Sequence, residues 1–145
     1  RAKNAAPRED IGMAINSTYG RSQNQLHIHI DCVRADVKAA LSAHASAIGR
    51  RWAVLNADLA GSRYRARRID GAEIAPHDPF KLLAQESPTV RGAMGAQTLA
   101  VIPMRFAKGK PGFALLASTG GTAANPDGSS EDLLDHECKV LKSPA

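Results

Sequence analysis

Asn24-Gln25-Leu26-His27-Ile28-His29-Ile30-Asp31-Cys32-Val33 alternates polar and apolar side chains from Gln25 to Cys32. That period of two predicts a β-strand over residues 24–33, with Leu26, Ile28, Ile30 and Cys32 on one face and Gln25, His27, His29 and Asp31 on the other. The apolar face is expected to meet the core. The second face then carries two imidazoles side by side, which can bind a metal, act as acid and base, or supply a nucleophile. For an arbitrary His-x-His the alternative is a pair of exposed surface histidines on a half-buried sheet. His44, His77 and His136 stand at no recognisable metal-ligand spacing from this pair, and Cys32 points to the opposite face, so no metal and no cofactor is expected.

Upstream, IGMAINS (residues 11–17) reads as a shorter strand, and the polar stretch containing Gly20 turns it back into the histidines as a β-hairpin. Asn16 ends the first strand, and Ser22, Gln23 and Asn24 lead into the second. Hydroxyls, side-chain amides and loop N–H groups of this kind hold phosphate oxygens without adding a titrating charge.

Downstream, Val37, Leu41, Ala45 and Ile48 recur at helical spacing and predict a helix over residues 35–51, with Asp36 near its start. Residues 52–55 and 64–69 read as short strands. Pro79 opens a helix that ends before Pro88, and a further turn or two follows to Met94. Residues 99–106 and 112–118 form two strands joined by the Lys-Gly-Lys-Pro tip at 108–111. Gly120, Gly121, Asn125, Pro126 and Gly128 make a long loop. Ser129 or Ser130 is then placed to cap a last helix over residues 131–141, whose first turn is acidic. The pattern predicts an α+β fold with antiparallel pairing.

The 145 residues, 43% of them hydrophobic, suit one domain over 1–145, with a polar segment at 1–10. No apolar run is long enough to cross a bilayer. The chain starts at Arg1 without methionine, and an N-terminal portion of a longer protein is expected to precede it. A net charge of +5 favours anionic partners. Arg63, Arg65, Arg67 and Arg68, with Lys81, can meet a diphosphate or an anionic membrane surface, or can form a solvated basic edge. Aromatic residues make up only 4% of the chain, too few for the stacking platforms of a single-strand nucleic-acid binder, so no nucleic acid is expected.

The stretch AINSTYGRSQNQLHIHIDCV (residues 14–33) resembles the histidine-triad superfamily, in which alternating histidines lie on a strand and the middle one attacks phosphorus. On that resemblance His29 is the nucleophile, His27 the first histidine, and Asn16 and Asn24 occupy phosphate-contacting positions. Asp31 stands where the third histidine would be, as a candidate orienting group. Within the superfamily the chain is similar to the CDP-diacylglycerol pyrophosphatase family through YRARRI (64–69), DPFKLLAQE (78–86), LAVIPMR (99–105), GFALLAS (112–118) and DHECKVLK (135–142).

The resemblance implies a histidine-triad-like antiparallel sheet and hydrolysis of CDP-diacylglycerol to CMP and phosphatidate through a nucleotidyl-histidine, with no metal required. Asn16, Gln23 and Asn24 would hold the non-bridging oxygens. It also implies anchorage at the bacterial inner membrane with the catalytic part in the periplasm. A missing N-terminal half, or a second copy of the chain in a homodimer, would supply a partner strand. Cys32 and Cys138 both read as core-facing, the latter on the last helix with Leu134 and Leu141. Two buried free thiols are the plain alternative, but in the periplasm the pair is expected to form a disulfide. Two rival functions are a histidine-triad enzyme of a soluble nucleotide and a non-catalytic nucleotide- or phospholipid-binding domain.

Overall fold

In the computed structural model, which describes residues 7–20 and 26–142, the chain runs β1 (Ile11–Ile15), β2 (His29–Val33), α1 (Ala35–Ala43), β3 (Ala53–Val54), β4 (Arg65–Asp70), α2 (Pro79–Ala84), α3 (Pro88–Arg91), β5 (Gln97–Arg105), β6 (Pro111–Thr119) and β7 (Leu134–Asp135). The strands form one sheet in the order β3-β4-β6-β5-β1-β2-β7. Every neighbouring pair is antiparallel. The fold is α+β, as the sequence predicts.

The hairpin β5–β6 is the centre of the sheet. Leu99 to Ile102 and Phe113 to Ala117 are buried without interruption, the pattern of strands covered on both faces. One face places Ala14, Ala100, Ile102, Ala114 and Leu116 against Val37 and Leu41 of α1 and against Ile48, Leu59 and Leu133. The small alanines let α1 approach the sheet closely. Leu41 is 1% exposed, and truncating a side chain so buried to alanine costs about 2–5 kcal/mol. On the other face Val101, Phe113 and Leu115 meet Trp52 and Leu82, and α2 and α3 bring Leu83 and Val90 onto Leu99 and Ala117. Asp78 and Ser87 cap these two helices, each with proline in the first turn.

Two predicted helices are corrected. The one over residues 35–51 stops at Ala43. His44 leaves helical geometry, its Nδ1 lies 2.9 Å from the Ala40 carbonyl, and a 3-10 turn at Ala45–Ala47 follows. Ile48 still reaches the core, because the carbonyl of Gly49 accepts a bond from the Arg68 N–H at 2.7 Å and docks the segment on β4. The last helix does not form. Residues Glu131–Leu133 make a 3-10 turn, β7 pairs with β2 through Val33↔Leu134 and Cys32↔Asp135, and a 3-10 turn closes at Lys139–Lys142. Ser130 caps nothing. Its hydroxyl donates instead to the carbonyl of Ile15 at 2.8 Å. Backbone groups at the free edge of β2 compete with helical bonds for this segment, and the edge wins at residues 134–135. Among the described residues no helix is long and apolar enough to cross a membrane.

Candidate active site

β1 and β2 pair as predicted, with Ala14 opposite His29 and Met13 opposite Ile30. Paired residues share a face, so His29 lies on the side of the sheet that carries α1, next to fully buried Ala14. The prediction that Leu26, Ile28 and Ile30 meet the core is corrected: they are 53%, 53% and 64% exposed. The helices on that face, α2 and α3, pack over the central strands and do not extend across β2. Cys32 alone of the four is buried, under its bond to Cys138. Regular strand also begins only at His29, so His27 precedes it and is exposed. Gln23 and Asn24 lie outside the described residues.

His29 is half-buried and meets a residue that its own strand does not announce. Its Nδ1 stands 3.4 Å from Oε2 of Glu131. The other carboxylate oxygen of Glu131 accepts a bond from the Asn16 side-chain amide at 2.8 Å. Asn16 Oδ1 in turn accepts from the backbone N–H of Glu131 at 3.1 Å and from the Ser129 hydroxyl at 3.2 Å. Asn16 is 4% exposed, so these bonds form in a largely dry setting and are worth more than they would be in water. The side chain expected to hold phosphate therefore grips the loop that bears Glu131.

That loop is fastened to the end of β1 at several further points. The N–H of Ser17 donates to the Gly128 carbonyl at 2.9 Å, and its hydroxyl to the Asp127 carbonyl at 3.1 Å. Gly128 has φ +57°, and a Cβ there would sit 2.4 Å from Ser17 Oγ and 2.7 Å from Gly120 Cα. Glycine is required at this position by both conformation and space.

Two residues along β2, Asp31 shares the face of His29. Its Oδ2 bonds Nδ1 of His136, and its Oδ1 accepts from the Cys32 N–H at 2.8 Å. The hydrogen bond and charge of Asp31 hold the His136 imidazole above its ordinary pKa. An imidazole from a remote segment thus stands beside the carboxylate that replaces the third histidine. The Cys32–Cys138 disulfide, with Cα atoms 5.2 Å apart, ties the His136 segment to β2. Asp31, Cys32 and Cys138 cluster closely, but both sulfurs are consumed by the disulfide.

Arg63, Arg65 and Arg68 have partners within the chain. Arg65 reaches Glu86 at 2.6 Å and Gln97 at 2.7 Å. Arg63 bonds Asp58 and Asn56, and Arg68 bonds Asp70 while stacking over Phe106. Burial lowers the Arg67 pKa, and its Nε has no partner among the described residues. The opposite side of β2 is apolar. A cleft of about 230 Å³ is lined by Met13, Ile15, Ile28, Ile74 and Phe80, and adjoins one of about 330 Å³ that reaches Leu26 and Met94.

Sequence reasoning missed Glu131 and His136. In the sequence Glu131 stands as an acid in the first turn of the expected last helix, and His136 as a histidine at no metal-ligand spacing from His27 and His29. Neither has a local signal, since their contacts cross 102 or more residues of sequence.

A sequence profile of the CDP-diacylglycerol pyrophosphatase family matches residues 1–142. The CDP-diacylglycerol pyrophosphatase of Yersinia pestis is 42% identical over 132 residues, which cover 91% of this chain and 50% of that protein. The chain thus spans about half the length of this curated relative. With the profile extending over nearly all of its residues, the chain belongs to the CDP-diacylglycerol pyrophosphatase family.

Proposed function

We propose that this chain carries the catalytic histidine of a CDP-diacylglycerol diphosphatase, and that His29 is a nucleophile of the histidine-triad kind. The observation that carries the reading is a half-exposed imidazole on β2 that meets a carboxylate through Nδ1, within a chain of this family. Nε2 of His29 attacks the phosphorus attached to cytidine. The N–P bond forms as the P–O bond to phosphatidate breaks, and the electron pair leaves on the phosphatidate oxygen. Water then attacks the same phosphorus, the N–P bond breaks, and CMP is released. His27, exposed at the mouth of the strand, shuttles protons, and Gln23 and Asn24 bind the non-bridging oxygens.

Exposed Leu26, Ile28 and Phe80 favour a substrate with acyl chains over a soluble dinucleotide, which has no such surface to bury. The disulfide is of the kind that persists in oxidising compartments and supports action on the periplasmic side of the bacterial inner membrane. An anionic membrane surface is the proposed partner there.

The test is intact-mass spectrometry of the full-length protein after rapid, acid-free quenching with CDP-diacylglycerol, with His29→Ala as control. A CMP-sized adduct missing from the variant is the expected result. Neither adduct nor CMP release from the folded wild-type protein would overturn the reading and leave a binding domain.

A further inference from the structure

We infer that Glu131 is the positioning residue for His29, and that Asn16 serves the reaction by clamping Glu131. The inference rests on the reading of His29 as nucleophile and adds what makes that imidazole competent. A neutral imidazole carries one proton, and only the nitrogen without it can attack. Glu131 Oε2 is 3.4 Å from Nδ1, and an ionised carboxylate can only accept. The proton is therefore held on Nδ1, and Nε2 keeps its lone pair. A separation slightly beyond hydrogen-bond length is usual for catalytic contacts before substrate arrives, and these shorten in the complex.

The carboxylate is itself aimed. Asn16 donates to its Oε1 at 2.8 Å and accepts from the Glu131 N–H at 3.1 Å, so one buried amide fixes both the side chain and the backbone of residue 131. Ser129 donates to the Asn16 oxygen at 3.2 Å, which fixes which end of the amide faces the glutamate. Orientation passes from β1 through Asn16 to Glu131 and then to His29.

During attack the ring gains a formal positive charge as the N–P bond forms. Its Nδ1 proton stays on nitrogen, bonded to Glu131, and no proton moves to the carboxylate. The negative charge of Glu131 stabilises the cationic intermediate, while the ring separates it from the phosphate that it would repel. When water cleaves the N–P bond, the electron pair returns to Nε2 and a water proton is released to solvent.

Glu131→Gln tests this with little change of shape. The glutamine oxygen can still accept from Asn16, which turns its NH2 toward His29. Nδ1 must then accept, and the ring proton moves to Nε2, the nitrogen that attacks. The expected result is a fall in kcat of about 10²- to 10⁴-fold, as for other triads forced into the wrong tautomer, with KM little changed. ¹⁵N spectra of imidazole-labelled full-length protein give a readout that a merely structural role would not move. The neutral His29 ring should be protonated on Nδ1 in the wild type and on Nε2 in the variant. A wild-type ring protonated on Nε2, or a Glu131→Gln enzyme with unchanged kcat, would overturn the inference while an inactive His29→Ala left the nucleophile in place. An active His29→Ala would overturn both. The wild-type spectrum decides the matter even if the variant does not fold.

Discussion

Asp31 of β2 and His136 of the C-terminal segment are joined side chain to side chain, Oδ2 to Nδ1, across 105 residues of sequence. His136 is otherwise exposed, so this one bond and the neighbouring disulfide determine where its imidazole stands. It brings a protonatable ring onto the face of β2 that carries His29.

The pairing predicts a pH dependence with a definite sign. Asp31 raises the folded-state pKa of His136 above 6.5. A group raised on folding contributes stability that is fully present below its unfolded pKa and lost as pH rises through the folded one. Hydrogen exchange in residues 134–141 should therefore quicken as pH climbs through the His136 titration. Asp31→Asn should lower the His136 pKa toward the ordinary imidazole range in an NMR titration, with the charges of Glu131 and Asp135 still acting on it, and should weaken that dependence. An unchanged midpoint in the variant would show that the contact is absent in solution.

Cys32 and Cys138 close a loop with a sequence separation of 106. Cross-linking a loop this long restricts the unfolded chain by about 4–5 kcal/mol in the chain-entropy picture, and removing native disulfides costs on the order of 2–5 kcal/mol. Cys138→Ser with Cys32→Ser should lower the urea midpoint accordingly. The unreduced, denatured wild-type chain should show no free thiol from this pair, and two thiols would exclude the bond.

Gly128→Ala should destabilise the protein by at least about 1 kcal/mol from its left-handed backbone alone, and by more because the Cβ would strike Ser17 Oγ at 2.4 Å. Since the same loop leads to Glu131, loss of turnover should exceed the loss of folded protein. Thermal melts beside specific activity per folded molecule separate the two effects. Equal losses in both would mean that the loop does not govern the site.

The apolar flank of β2 makes a separate prediction about substrate. Burying a large aliphatic or aromatic side chain is worth about 1.5–3 kcal/mol, so Ile28→Asp or Phe80→Asp should raise KM for long-chain CDP-diacylglycerol by about 10- to 100-fold. A short-chain, water-soluble analogue should be affected little. Equal changes for both would show that the flank does not meet the acyl chains.

The local periods of the sequence, read alone, determined the α+β class, the antiparallel β1–β2 and β5–β6 pairs, the short strands near Trp52 and Tyr64, and the proline-opened helices. They also marked the paired imidazoles His27 and His29, while the choice of His29 and the Cys32–Cys138 pairing came from the family resemblance rather than from periodicity. The periodic features are local or carried by residue type, because alternation, capping and turn chemistry act within a few residues. Only the tertiary structure decided which face of β2 is covered. Period two identifies two faces but not which one a helix elsewhere in the chain will reach, and Ile28 and Ile30 remained exposed. It also replaced the last helix with β7, because the free edge of β2 offered residues 134–135 backbone partners that no local pattern encodes. Glu131 met His29 for the same reason: sheet order and a glycine loop bring together residues 102 positions apart, a distance over which periodicity carries no information.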